Sequence, residues 1–360
     1  MMNDRDPQQA SFQALRSLLE AVPSVARVGS FRRQRGRSGT TIAGLVVQFK
    51  RGGRVRWIVD ERTLPLKPRA AELAAFEYQQ YVMEGFGDYA VVLAPYVSPR
   101  SAEILARAGE GFFDLSGNCR LVSGPLFIER TGLPNAFARN PGLRSLFTPG
   151  SERVLRAALD PAQQRRAWTV RQLAEAAYPG VSVGQAHRVA TLMEEQAFLQ
   201  RGEAGLELRE PEKLLGAWAE HYRFERSAAA RFYSPLGVPE LHERLAVANQ
   251  RDKAGALGVL ASFSAAEVLA PFVRQHRFFV YRRGDRARLV RELQLKPVSS
   301  GENVVVLEPY DEGVFYPGPK APMPVTCPLQ TYLDLKASPA RGEEAAQAVF
   351  AKYLRKAYDR

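Results

Sequence analysis

The sequence predicts a multidomain protein of mixed class, α/β plus α+β. It has an α/β block, a compact helical block closed by a two-stranded hairpin, and an α+β block. Three observations carry that expectation. The chain has 360 residues, more than one ordinary hydrophobic core accommodates. Its hydrophobic pattern switches repeatedly between helical and alternating spacing. Two loop-rich stretches interrupt it, Thr131 to Ser151 and Phe232 to Val238, both punctuated by Pro and Gly.

Block one covers residues 1–133. Phe12, Leu15, Leu18, Leu19 and Val22 fall at helical spacing. Thr41 to Phe49 reads as a strand, Arg51-Gly52-Gly53-Arg54 as a turn, and Val55, Trp57 and Val59 as the partner strand of a hairpin. A helix is expected from Ala70 to Met83 and a buried strand from Tyr89 to Pro95. Ser98 followed by Pro99 starts a helix that runs to Ala108 and stops at Gly109. Short strands at Phe112 to Leu115, Cys119 to Val122 and Leu126 to Glu129 surround a turn at Asp114 to Asn118. That order resembles the restriction-endonuclease-like fold, whose active members use a Pro-Asp…(Asp/Glu)-x-Lys site. Such a site needs two acids to hold Mg²⁺ and a Lys to orient the attacking water. Asp60-Glu61-Arg62 falls where the second half belongs, but Gly44 occupies the candidate position of the first acid and Arg62 replaces the Lys. The block therefore reads as an inactive relative kept for binding.

Block two covers residues 150–232. A first helix runs from Arg153 to Leu159, and Thr169 caps a second that buries Val170, Leu173 and Ala177. Tyr178-Pro179-Gly180-Val181 breaks it. Ser182 caps a third helix that reaches Phe198 and turns Ala186, Val189, Met193 and Ala197 inward. Two strand-like pieces follow in Leu199 to Arg209, then a helix from Glu212 to Arg223. Three helices and a hairpin are the winged helix-turn-helix order. In that motif the last helix enters the major groove by its N-terminal half, so helix 182–198 is the expected recognition helix. The outward residues there are Ser182, Gln185, His187, Arg188 and Thr191. Gln reads adenine, Arg reads guanine, and Thr touches a thymine methyl. Arg165, Arg166 and Arg171 suit phosphates, and Arg201 on the hairpin reaches the backbone or the minor groove.

Block three covers residues 235–360. Helices are expected at Val238 to Ala246, Gly255 to Leu269 and Glu343 to Tyr358, with a shorter one near Thr331 to Leu335. Phe278 to Tyr281 and Val304 to Leu307 read as strands. A working nucleotidyltransferase would carry Gly-Ser closely followed by Asp-x-Asp. The chain has Gly258-Val259-Leu260-Ala261-Ser262 instead, so no catalysis is expected here.

Charge adds the class of partner. There are 50 Lys and Arg against 38 Asp and Glu, a formal net charge of +12. Nine basic residues and no acid lie between Ala26 and Val59. Eight basic residues face two acids between Pro271 and Val298. Such clustering fits a polyanion. Arg32, Arg33, Arg35, Arg51 and Arg54 are the expected auxiliary phosphate contacts. The two cysteines, Cys119 and Cys327, form no disulfide framework, and no P-loop, Gly-x-Ser-x-Gly or zinc spacing is present. No cofactor, metal or catalytic residue is expected, and the chain reads as a soluble cytoplasmic protein.

Four stretches carry a family resemblance: Tyr96 to Leu121, the helical block through Trp218, Gly301 to Tyr316, and Pro328 to Ala346. They resemble the AbiEi-type antitoxins of bacterial type IV toxin–antitoxin systems. The resemblance implies a DNA-binding winged helix joined to a catalytically dead nucleotidyltransferase-like domain that represses a promoter. The expected function is a sequence-specific double-stranded-DNA-binding regulator, not an enzyme. Its expected partners are double-stranded DNA, with a second copy of the chain or a protein toxin as further candidates. Two alternatives stand beside it: a Mg²⁺-dependent DNA endonuclease using Asp60 and Glu61, and an antitoxin that neutralises a nucleotidyltransferase-type toxin.

Overall fold

The computed structural model describes residues 7–35, 40–136, 146–163, 167–251, 256–271, 276–321, 323–339 and 341–359. The chain divides into two compact units, Met1–Arg144 with Glu194–Ala197, and Ser145–Met193 with Phe198–Arg360.

The first unit is built on a seven-stranded sheet in sequence order. Helix α1 (Pro7–Glu20) precedes β1 (Val25–Arg35), β2 (Thr40–Phe49) and β3 (Arg54–Glu61). Then come α2 (Pro68–Met83), β4 (Tyr89–Ala94), α3 (Pro99–Arg107), β5 (Gly111–Asp114), β6 (Cys119–Ser123) and β7 (Leu126–Arg130). The pairs β3–β4 and β4–β5 are parallel, and the outer pairs are antiparallel. Parallel strands need covered faces, and all six residues of β4 are buried. Alternation along each strand sorts the apolar side chains. Trp57, Val91 and Leu93 pack with Leu15 and Leu19 of α1. Ile58, Ala90 and Val92 pack with Ala71, Ala74 and Tyr78 of α2 and Leu105 of α3.

The turn at 114–118 follows from a buried carboxylate. Asp114 accepts from the backbone N–H groups of Asn118 (2.8 Å) and Val97 (3.0 Å) and from Asn118 Nδ2 (3.0 Å). Ser98 caps α3 by accepting from the Ser101 N–H, as its position before Pro99 predicts. Strand β1 was not expected. Its arginines, and an irregularity between Val25 and Arg27 that brings Val25 and Val28 into one core at an odd spacing, obscured its alternation.

The second unit opens with α4 (Pro149–Leu159), α5 (Val170–Ala176), α6 (Val183–Glu195) and the hairpin β8 (Leu199–Gly202) and β9 (Gly205–Leu208). It continues through α7 (Pro211–His221), β10 (Ala228–Tyr233), α8 (Val238–Gln250), β11 (Gly258–Leu260), α9 (Ser262–Leu269) and β12 (Phe278–Arg282). It closes with α10 (Arg286–Glu292), β13 (Lys296–Pro297), β14 (Val304–Glu308), α11 (Pro328–Lys336), α12 (Gly342–Tyr353) and α13 (Arg355–Tyr358). A five-stranded sheet runs β11-β12-β14-β10-β13, with β12 and β14 parallel.

Two expectations for this region are corrected. Gly255 to Leu269 is not one helix: 258–260 is a buried strand, and the helix starts at Ser262. The stretch from Phe232 to Val238 is not loop throughout, because Phe232 and Tyr233 end β10 inside the sheet. One apolar core joins the two parts that the sequence sets apart. Val154, Leu173, Val189 and Leu206 pack in the same cluster as Phe263, Leu333, Val349 and Phe350. Among the described residues no helix is long and apolar enough to cross a membrane.

Candidate nucleic-acid interface

Helices α5 and α6 and the hairpin form the candidate reading surface. Thr169 and Gln172 make a reciprocal cap at the start of α5. The Gln172 N–H donates to Thr169 Oγ1 (3.2 Å), and Thr169 N–H donates to Gln172 Oε1 (2.9 Å). Ser182 Oγ accepts from the Gln185 N–H at 3.2 Å. Inward, α6 buries Ala186, Val189, Ala190 and Met193. Outward, His187, Arg188 and Thr191 are exposed, as are Ser182, Val183 and Gly184. The first turn carries no acid, so nothing there repels phosphate. The hairpin is anchored by a bridge in which the Trp168 N–H donates to the Leu206 carbonyl (2.7 Å) and the Leu206 N–H donates to the Trp168 carbonyl (2.8 Å).

The expected contact residues separate on this surface. Arg171 on α5 and Arg201 on β8 are exposed with Arg188. Gln185 is only half exposed: its amide lies against Gly150, where a Cβ would meet Gln185 Nε2 at 2.0 Å. Arg165 and Arg166 lie outside the described residues, as does the side chain of Arg35. Sequence reasoning missed Val183, whose side chain is 49% exposed in the first turn of α6. A valine beside a cap is the only signal the sequence offers for it, and it reads equally well as core.

The second unit also holds a buried polar network. Arg226 Nη1 donates to Glu152 Oε1 at 2.6 Å, and Arg156 Nη2 donates to Tyr310 Oη at 3.0 Å. Arg156 also donates to Gln330 Oε1, and Tyr310 Oη donates to Glu152. Gln330 Nε2 (2.8 Å), Tyr222 Oη (2.7 Å) and Tyr281 Oη (3.2 Å) converge on Asp334 Oδ1. The network ties α4 to α7, the Phe224–Arg226 turn and α11. Burial pushes Asp334 up from its ordinary 3.8 to about 6, against the opposing pull of its hydrogen bonds and of Arg156. The folded chain therefore holds a proton between roughly pH 4 and 6 that the unfolded chain gives up. Stability contributed by this group is greatest below that window and is lost as pH rises through it, by up to about 3 kcal/mol. Asp334→Asn should remove that slope. Denaturant unfolding at pH 4.5 and 7.5 tests it: an unchanged difference between the two pH values in the variant would refute the assignment.

The basic strands of the first unit form several separate features. Arg32 and Arg33 are adjacent on β1 and so point to opposite faces of the sheet. Arg33 Nη1 donates to the Gly85 carbonyl at 3.1 Å and its guanidinium lies 5.0 Å from the Phe86 ring. Arg56 is held by Asp88 at 2.9 Å. Arg51 and Arg54 are exposed at the hairpin tip, where Gly52 and Gly53 take positive φ. The side chain of Asp60 faces α2 and is occupied: it accepts from Arg62 Nε at 2.6 Å and from Tyr78 Oη. Position 44 has no room for a carboxylate, since even a Cβ there would sit 2.0 Å from the Trp57 carbonyl oxygen and 2.7 Å from Phe31 Cε1. Among the described residues no group of three or more His, Cys, Asp or Glu is placed to hold a metal ion.

The fold and its surfaces can be set beside known proteins. Residues 207–355 match the family model of AbiEi-antitoxin transcriptional regulators of type IV toxin–antitoxin systems. The matched segment runs from β9 to the start of α13 and contains neither α5 nor α6. No curated protein matches the chain. A structure titled "Structure of EndoMS in apo form" aligns at 19% identity over 32% of this chain and 48% of that one, with a TM-score of 0.20. The alignment spans about half of that protein, and a likeness this slight carries no argument.

Proposed function

We propose that the chain is a transcription regulator that binds double-stranded DNA sequence-specifically, with the N-terminal half of α6 in the major groove. The observation that carries this reading is the polar, acid-free face of His187, Arg188 and Thr191, set on a rigid helix and flanked by Arg171 and Arg201. Three helices and a bridged hairpin are the winged helix-turn-helix layout, and the matched family consists of transcriptional regulators. Arg188 reads a guanine edge and Thr191 a thymine methyl, while Arg171 and Arg201 hold phosphates. The region from 235 to 360 acts as a catalytically silent nucleotidyltransferase-like body, and the first unit as a silent endonuclease-like one that supplies auxiliary phosphate contacts through Arg32, Arg51 and Arg54. The antitoxin description of the family favours a protein toxin as an additional partner.

Selection of bound sites followed by gel shift at two salt concentrations tests the reading. Arg188→Ala should cost about 1–3 kcal/mol on the selected site and relax preference at one base pair. Arg171→Ala should weaken all sequences alike and reduce the salt slope by about one. Unchanged affinity and preference in Arg188→Ala would place the recognition surface elsewhere.

A further inference from the structure

A cleft of about 400 Å³ opens in the second unit, between the residue that follows β12 and the proline-rich loop after the Glu312–Phe315 turn. That volume suits a small molecule. The loop is seated on β11: Leu260 N–H donates to the Pro324 carbonyl (2.9 Å), and Thr326 N–H donates to the Leu260 carbonyl (3.0 Å). Val259, Met323 and Val325 line the cleft with apolar surface. Its charged lining residues are Arg283 and Lys320, both exposed, and no acid is among the described residues that line it. Among the described residues neither cation is held in an ion pair. The Arg283 guanidinium is oriented without a carboxylate. It lies 5.0 Å from the Phe315 ring, and its Nη2 donates to Tyr178 Oη at 2.5 Å. Tyr178 takes a single N–H of the fork, and the others remain for a ligand.

The lining identifies the occupant. A guanidinium fork beside an ammonium, with no acid to compete, selects an oxyanion. The apolar residues select an uncharged body behind it. We propose that this cleft binds a small organic anion, with its carboxylate or phosphate head on Arg283 and Lys320 and its apolar body against Val259, Met323 and Val325. The site is also wired to the turn between α5 and α6, because Tyr178 stands in that turn. A bound anion draws on the same guanidinium that Tyr178 holds, so occupancy loosens the turn. The binding site rests on the cleft alone. Its use as an effector site, through which a ligand changes DNA affinity, rests on the reading of α6 proposed above.

Isothermal titration of the full-length protein tests the binding site. Phenyl phosphate and benzoate carry the two head groups on one body, and the tighter of them names the head. At least one should bind saturably at or below about 1 mM. Inorganic phosphate, which lacks the body, and benzyl alcohol, which lacks the charge, should each bind about ten-fold more weakly or not at all. Arg283→Gln and Lys320→Gln, both at exposed positions, should keep the melting temperature and each weaken the tighter ligand about ten-fold. No saturable binding of either anion, inorganic phosphate binding as tightly as phenyl phosphate, or undiminished binding in both variants would each overturn the site. Hydrogen exchange tests the link to the turn without DNA. The Val181 N–H, held by the Ala174 carbonyl at 3.3 Å, should exchange faster when ligand is bound. Tyr178→Phe should still bind the ligand and should lose this response. Exchange at Val181 that is unchanged or slowed by the ligand would overturn the link. In a gel shift, a chain that binds the anion but shows no sequence preference for DNA would refute the reading of α6 and leave the cleft standing.

Discussion

Arg156→Ala is expected to destabilise the second unit by about 3–5 kcal/mol, read as a lowered denaturant midpoint. The magnitude comes from what the substitution leaves behind. Arg156 and Glu152 are both fully buried, 4.0 Å apart on α4. Removing the guanidinium strips Gln330 and Tyr310 of a donor and leaves Glu152 with Arg226, whose side chain is partly open to water. It also removes a cation lying 5.0 Å from the Trp218 ring. A charge that keeps its burial and loses a partner costs more than the pair ever contributed. The double variant Arg156→Met/Glu152→Gln should therefore be less destabilised than Arg156→Ala alone, despite carrying one substitution more. Measured by the same denaturant titration, additive losses would show that the two residues act independently.

That network also shows where the sequence was legible. Helices α5 and α6 were plain, because each begins at a cap of the right type. Thr169 and Ser182 both accept backbone N–H groups as their positions predict. The buried strand 89–94 was plain as well, since it is a run of apolar residues with no alternation to misread. The buried charges were not. Glu152 and Arg156 sit four residues apart, a spacing that on a surface helix means an exposed ion pair. Only the arrival of Tyr310, Gln330 and Arg226 from far along the chain makes burial tolerable, and such partners leave no local signal. Strand β1 was lost for the opposite reason: four arginines in eleven residues on a sheet edge, two of them adjacent, look like a solvated tail. Strand β11 was lost because a stretch rich in Ala, Gly and Leu suits a helix or a buried strand equally.

The basic stretch from Ala26 to Val59 changes meaning in three dimensions. In sequence it is one block of positive charge. In the fold, Arg33 and Arg56 are committed to Gly85 and Asp88. Arg32 faces the other side of the sheet from Arg33, and Arg51 and Arg54 gather at a hairpin tip. A row of phosphates can be met by the tip, whereas the whole stretch cannot line one groove. Under the proposed function, the auxiliary phosphate contacts of the first unit would therefore concentrate on Arg51 and Arg54.

Gly44→Asp should destabilise the first unit by at least about 3 kcal/mol, and it should not create a nuclease. The position faces α2 on the same side of the sheet as Asp60, so by topology an acid there would complete a metal-holding pair. Its Cβ, however, would lie 2.0 Å from the Trp57 carbonyl oxygen. That oxygen is backbone in the neighbouring strand, which pairs with β2 through Gly44 and Ile58. It can yield only if β2 and β3 separate. The Phe31 ring closes the other side at 2.7 Å, so trimming Phe31 alone would not relieve the clash. Gly29 on β1 is the control: a Cβ there meets nothing nearer than 3.9 Å. Gly29→Ala should be tolerated where Gly44→Ala is not, as thermal unfolding of the full chain will show. A carboxylate at 44 would also find Asp60 already holding Arg62 and Tyr78. Burial and the neighbouring Asp60 push the Tyr78 phenol up, so it remains a protonated donor to that carboxylate. Plasmid incubated with Mg²⁺ should stay intact with wild type, Asp60→Ala and Gly44→Asp alike. Cleavage by wild type that Asp60→Ala abolishes would show that this sheet binds a catalytic metal by a geometry other than the one that Gly44 closes off.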